Sequence, residues 1–547
     1  MLLGACSEPS ADLVFTNGGV YTVDSAQPRA EAVAVRDGRI ALVGSNYDVA
    51  PLIGLDTRVI DLTGRLLIPG FHDTHVHPVT GGVELSECNL NEAQSREEVV
   101  RIVSACAARD ADAAWVLGGG FQLPIFPRGS PSRSLLDSLI PDRPAYLTSA
   151  DGHSAWVNSR ALELAAVDRS TPDPPEGRIE RDRETGEPSG TLRETAMGLV
   201  GRHVPPYTVE AYHEGLLRGL ALAAQFGITT FHEASANETI LRAYAAADAA
   251  GELTARVIVS LRVDAAEGTE QVPRLAELRD QYRGEMLRPD AAKIFLDGVI
   301  EGQTAALLEP YTDRTDYQGE LNFHPDTLTA LVHTLDSAGF KVHVHAIGDR
   351  AIRVAFDAFE QQHERDGGAG PRHIMAHIQL FDPADIPRFA ELGVVASFQP
   401  LWAYEDTYIT DLTVPRLGPE RSRWLYPIQS VMKTGAMVAA GSDWSVTSMN
   451  PLRAMEVAVT RQDPDVENGV SWLPEERVSL EQILEAYTMG GALASDHANL
   501  TGSIAVGKAA DLVVLDRDIF EMPPDALSDA EVVSTFLNGR EIFRREP

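Results

Sequence analysis

The run LLIPGFHDTHVH, residues 66–77, sets an apolar, strand-like stretch directly against three histidines. Side chains alternate between faces along extended backbone, so His75 and His77 point one way, with Asp73 one step behind them, while His72 and Val76 point the other. Two imidazoles on one face of a strand can grip a single metal ion. The same spacing also suits a core strand that happens to carry two histidines, so the rest of the chain has to decide between them.

At 547 residues the chain exceeds one ordinary domain, and two or three units are expected. With 44% hydrophobic and 23% charged residues, the composition is that of a soluble globular protein. No apolar run approaches the roughly 20 residues of a membrane-spanning helix, and there is no short-period repeat or low-complexity tract. The net charge of -34, from 80 acidic against 46 basic residues, argues against nucleic acid and anionic lipid as partners and fits a well-solvated acidic surface. Small-molecule chemistry is the class left open.

Near the start, Leu3-Gly4-Ala5-Cys6-Ser7 resembles the lipobox of bacterial lipoproteins, which implies lipidation at Cys6 and a short tether within residues 1–11. Only five residues precede Cys6, so the charged and apolar parts of a signal peptide are missing. If the start site lies further upstream, a cell-envelope or periplasmic lipoprotein is expected; otherwise the location is cytoplasmic. For the remaining cysteines, Cys88 and Cys106, the sequence leaves pairing open, and two free buried thiols are the simpler expectation.

Residues 12–66 read as short β-rich runs with turns at Asn17-Gly18 and Asp37-Gly38, and residues 500–547 read the same way, with a turn at Asn538-Gly539. Neither stretch can bury a core alone, so one small β-sandwich built from both chain ends is expected. Between them, residues 67–499 alternate strand-like and helix-like segments. Strands fall at FHDTHVH, 227–234, 255–263, 291–298, 341–349, 372–378, 393–400 and 436–444. Helices are expected at 209–226, 237–250, 325–338 and 349–364, with Asp326 and Asp349 placed to cap the last two. Eight strands with intervening helices make an α/β fold, a (β/α)8 TIM barrel. The first connection, 78–208, is far too long for a βα loop and reads as an inserted lid subdomain with helices at 94–108 and 158–166.

Active sites of such barrels sit at the C-terminal ends of the strands. There the sequence places His75 and His77 on strand one, Lys293 on strand four, His345 on strand five, His377 on strand six and Asp443 on strand eight. Each has an ordinary explanation alone: a core histidine, a helix-capping aspartate. A lysine inside an apolar strand is harder to explain, because a buried ammonium is costly unless paired or modified. Six such groups at one end of the right strands form a set.

Together with LIPGFHDTHVHP, the motifs SADGHSAWVNSRAL (149–162), KIFLDG, HAIGDRA, AHIQ, GSDW and VGKAADLVVLD make the chain resemble the amidohydrolase superfamily over nearly its whole length. The resemblance is closest to the family-3 branch that includes N-substituted formamide deformylases. It implies two divalent metal ions, zinc best suited to the donors, with manganese or iron open. His75, His77 and Asp443 would hold the more buried ion and His345 and His377 the second, while Lys293, carboxylated at its amine, would bridge them. Asp443 would also act as general base for an attacking hydroxide.

The implied function is hydrolysis of a C–N bond other than a peptide bond, in an amide, formamide or carbamate-like small molecule. Rival readings are an ester, lactone or phosphotriester hydrolase, a mononuclear deaminase on the same fold, or a silent ligand-binding envelope lipoprotein. His343, one layer deeper than His345, reads as a packing or supporting residue. His153 and Asp151 in the insertion either reach toward substrate or brace their loop. His232, ending strand two, reads as a supporting group or substrate contact, and Trp402 and Trp444 as pocket walls.

Overall fold

The computed structural model describes residues 10–368, 370–466 and 468–546. The implied lipidation site at Cys6 lies outside the described residues. No helix among the described residues is long and apolar enough to cross a membrane.

Eight parallel strands form the central sheet: β1 (Phe71–Val76), β2 (Ile228–Ala236), β3 (Arg256–Arg262), β4 (Leu287–Phe295), β5 (Lys341–Ala346), β6 (Ile374–His377), β7 (Val395–Phe398) and β8 (Val438–Ala440). Each pairs with the next in chain order. The seam between β8 and β1 is closed by single bonds: the Thr74 hydroxyl donates to the Ala440 carbonyl at 3.0 Å, and the Asp443 amide to the His75 carbonyl at 2.7 Å. Gly441 permits this approach, since a Cβ there would lie 2.6 Å from the His75 amide nitrogen.

The two chain ends meet beneath the barrel. Leu512–Leu515 pairs antiparallel with Leu66–Pro69 in a six-stranded sheet, which packs against a four-stranded sheet containing Leu13–Thr16 and Ala32–Arg36. Phe15 meets Phe536 edge to face at 5.2 Å in their shared core. The strand Leu66–Pro69 serves two cores: Leu67 packs into the sandwich, while Leu66 and Ile68 pack with the barrel. The two-residue period of the strand does this, and the chain then runs through Gly70 straight into β1. The apolar run that flanks the histidines is thus the splice between the two units.

The long connection after β1 folds on its own six-stranded sheet, from Cys88–Asn89 to Pro188–Glu194, over a core that includes Leu90, Phe121 and Trp156. Cys88 and Cys106 are joined by a disulfide between its edge strand and the helix Arg96–Arg109, with Cα atoms 5.6 Å apart. This corrects the expectation of two free thiols.

The expected helices form, but two of their starts differ. His324 caps Pro325–Ser337 by accepting from the Asp326 amide, and Gly348 precedes Asp349–Asp366. Asp326 and Asp349 therefore lie in the first turn, where their charge suits the helix dipole, rather than at the cap.

Barrel and sandwich are also joined by a buried ion pair. Arg256 at the start of β3 donates from Nε to Asp511 Oδ2 at 2.9 Å, and the Asn538 amide donates to Asp511 Oδ1 at 2.8 Å. Removing one partner strands a buried charge. Asp511→Ala should therefore lose about 3–5 kcal/mol of stability in denaturant unfolding; a loss under about 1 kcal/mol, the level of an exposed pair, would show that the pair does not join the units.

Candidate functional site

At the C-terminal rim of β1, His75 is buried with each ring nitrogen engaged. Its Nδ1 lies 3.0 Å from His343 Nε2, and its Nε2 lies 3.2 Å from Lys293 Nζ and 3.5 Å from Asp443 Oδ1. His343 is held from behind by the Ser260 hydroxyl at 2.9 Å. A chain Ser260–His343–His75 therefore fixes which nitrogen of His75 faces the centre, as support behind a metal-binding imidazole does. His77 follows, its Nε2 3.2 Å from Asp443 Oδ1 and its Nδ1 3.3 Å from Glu233 Oε1.

From the other side, His345 and His377 stand with rings 4.5 Å apart, and His377 is 4.5 Å from His75. Gln399 steadies His377 Nδ1 at 3.0 Å, and Trp402 stacks on its ring at 5.5 Å with the planes 3° apart. His377 and Asp443 both hold left-handed backbone, φ 73° and 52°, a conformation that costs energy in a side-chain-bearing residue and concentrates at functional sites. One ligand atom each from His75, His377 and Asp443 lies within 4.8 Å of the others.

The electrostatics fit a cation. Burial, reinforced by the Lys293 charge, holds His75, His345 and His377 well below the ordinary imidazole value, so they are neutral donors. Burial also lowers His77, but its bonds to Asp443 and Glu233 outweigh it and raise the group to about 9. Asp443 Oδ1 is buried and accepts no well-formed hydrogen bond. Lys293 is fully buried and makes no ion pair among the described residues; burial pushes its amine down to about 7 against the opposing pull of Asp443 and Glu233. Three neutral imidazoles, a fourth imidazole held against two carboxylates, an open carboxylate oxygen and a lysine amine without an ion pair match what divalent metal ions require.

This centre opens into a cavity of about 1920 Å³. The insertion supplies part of its wall. His153 Nδ1 lies 2.9 Å from Glu194 Oε2, and its ring stands 5.2 Å from that of His345. Asp151 Oδ1 accepts from the His153 amide at 3.0 Å, while its buried Oδ2 has no hydrogen-bond partner among the described residues. Both residues thus brace their loop and line the cavity, as Trp402 and Trp444 also do.

His232 does not reach the cavity. It is buried among Lys341, His72 and His497, with Nε2 2.8 Å from the Ser495 hydroxyl, which corrects the substrate-contact alternative and leaves the supporting one of the two expected. The next residue on β2, Glu233, reaches the rim instead, with Oε1 3.3 Å from His77 Nδ1 and Oε2 accepting from the Tyr244 hydroxyl at 3.0 Å. Glu233 is missed by sequence reasoning, although it stands one residue past a flagged histidine on the opposite face. Asp297 is missed as well. It accepts the Ile347, Gly348 and Ala306 amides at 2.9–3.0 Å and sits 3.9 Å from His345 Nε2; burial, working against those bonds, raises it to about 7.

A family model described as "Amidohydrolase family" matches residues 58–543. The chain belongs to the amidohydrolase family. It is 32% identical to the protein LONG AFTER FAR-RED 3 of Arabidopsis thaliana, over 97% of this chain and 92% of that protein. It is 28% identical to an N-substituted formamide deformylase of Arthrobacter pascens, over 96% and 97%. Among solved structures, an uncharacterized metal-dependent hydrolase from Pyrococcus furiosus matches with a TM-score of 0.71 at 27% identity, covering 92% of this chain and 99% of that one. The chain is a metal-dependent hydrolase of this family, of the same branch as the formamide deformylase.

Because His343 orients His75 rather than lining the cavity, its loss should act through metal affinity. His343→Ala is expected to weaken divalent-metal binding about 10- to 100-fold in chelator competition. Wild-type affinity in that variant would reduce His343 to packing.

Proposed function

We propose that this amidohydrolase cleaves a C–N bond in a small amide, formamide or carbamate-like molecule, with Lys293 at the heart of a binuclear centre. The observation that carries this reading is the lysine: fully buried, unpaired among the described residues, and 3.2 Å from His75 Nε2. As an ammonium it would repel any cation brought to these imidazoles. As a carboxylated amine it is an anionic ligand able to face two ions at once.

His75, His77 and Asp443 would hold one ion, His345 and His377 the other, and Lys293 both; zinc suits this donor set best. Two such ions lower the pKa of a water and polarise a carbonyl. The chain's own residues do the rest. Asp443 Oδ1 takes the proton of the attacking water and returns it to the leaving nitrogen. Gln399 and Trp402 hold His377 in place, and the insertion over residues 78–208 supplies part of the cavity wall through Asp151, His153 and Glu194. The similarity to a formamide deformylase supports a nitrogen leaving group.

A substrate panel tests this. Enzyme stripped of metal and reloaded with zinc should release amine from N-alkylformamides or N-alkylacetamides faster than it opens matched esters and lactones. Asp443→Asn should lower kcat by about 10²- to 10⁴-fold. Ester or lactone turnover well above that of the amides would favour the rival hydrolase reading.

A further inference from the structure

The cavity wall between the loops after β4 and β7 carries a carboxylate that forms no ion pair among the described residues. Glu301 is only 7% exposed and lines the cavity. Its Oε1 accepts from Gln379 Nε2 at 3.0 Å and from the Thr413 hydroxyl at 2.6 Å, which fixes the group; Oε2 takes no hydrogen bond among the described residues. Gln379 is two residues beyond His377, so this hydrogen bond ties the carboxylate to the segment that leaves β6. Tyr408 and Tyr426, both close enough to feel the Glu301 charge, line the same cavity.

The cations within reach do not neutralise it. Arg453 is held bidentately by Asp465 at 2.7 and 3.0 Å. Arg416 feels the charge of Glu301, but its guanidinium donates to the Leu412 carbonyl at 2.7 Å and forms no ion pair with it. Arg262, at the end of β3, is exposed and lies over Phe295 at 5.5 Å. Burial, then the Glu301 charge, pushes Asp406 on the same wall up to about 6, so the negative potential there is already in excess.

Resting on the C–N hydrolase reading, we propose that Glu301 is a specificity residue: with the surrounding aromatic rings it binds an ammonium group, so the substrate is an amide carrying a second, cationic nitrogen. A buried carboxylate needs a charge partner, and aromatic faces attract a desolvated cation. The ligand supplies what the protein leaves out.

Three matched compounds test this: N-(4-aminobutyl)formamide, N-pentylformamide and 5-formamidopentanoate. The cationic compound should exceed the neutral one in kcat/KM by about tenfold or more. Glu301→Gln should bring that ratio close to one, and Glu301→Lys should shift preference to the anionic compound. Equal rates for all three in the wild type, a ratio unchanged by Glu301→Gln, or a wild-type preference for the anion, which would point to Arg262, overturns the proposal. Calorimetry with benzyltrimethylammonium against its uncharged isostere neopentylbenzene needs no turnover. Selective binding of the cation, weakened about tenfold by Glu301→Gln, supports the cation subsite even if no formamide is cleaved, in which case only the reaction reading fails. Equal affinity for both probes overturns it.

Discussion

A lysine amine with no access to water, set 3.2 Å from an imidazole that must stay neutral, is the constraint around which the rest of this molecule is arranged. An ammonium in that position would oppose any cation brought to the neighbouring histidines. The surroundings press it toward the neutral, reactive form: burial works against its charge more strongly than Asp443 and Glu233 work for it. The same carboxylates pull His77 the other way. Positive charge is wanted at this rim, but at its centre rather than on the lysine.

The barrel makes that arrangement rigid. The proposed ligands, from β1, β4, β5, β6 and the loop after β8, are spread between residues 75 and 443 and brought together by parallel pairing in chain order. The weakest seam, β8 against β1, is closed by the segment that carries Asp443. Strain at His377 and Asp443 is held by that closure and by the stacked Trp402. The splice at Leu66–Pro69 then ties the first ligand strand to the sandwich core, so the position of His75 depends on both chain ends packing correctly. The insertion completes the cavity with the His153–Glu194 pair, which no barrel element supplies.

Much of this was legible in the sequence because it follows from short periods. Strand alternation puts His75 and His77 on one face, and the alternation of strands and helices implies the barrel that gathers Lys293, His345, His377 and Asp443. The failures share a cause: they depend on contacts between distant segments. His232 reads from the sequence as a supporting group or a substrate contact, and only its bond to Ser495, 263 residues away, shows that it is buried away from the cavity while Glu233 meets His77. Asp297 falls within the expected strand 291–298 with nothing to single it out, and its position beside His345 rests on three backbone amides from other segments. The Cys88–Cys106 bond needs a two-residue edge strand laid beside a helix, which no spacing rule anticipates.

The account stands or falls on Lys293 as a bridging ligand. The most direct measurement is the metal content per chain of the wild type and of Lys293→Ala, purified in parallel and read by elemental analysis alongside turnover. Two ions per chain in the wild type, falling to one or none with loss of activity in the variant, is the predicted result. Two ions and full activity in Lys293→Ala would contradict it.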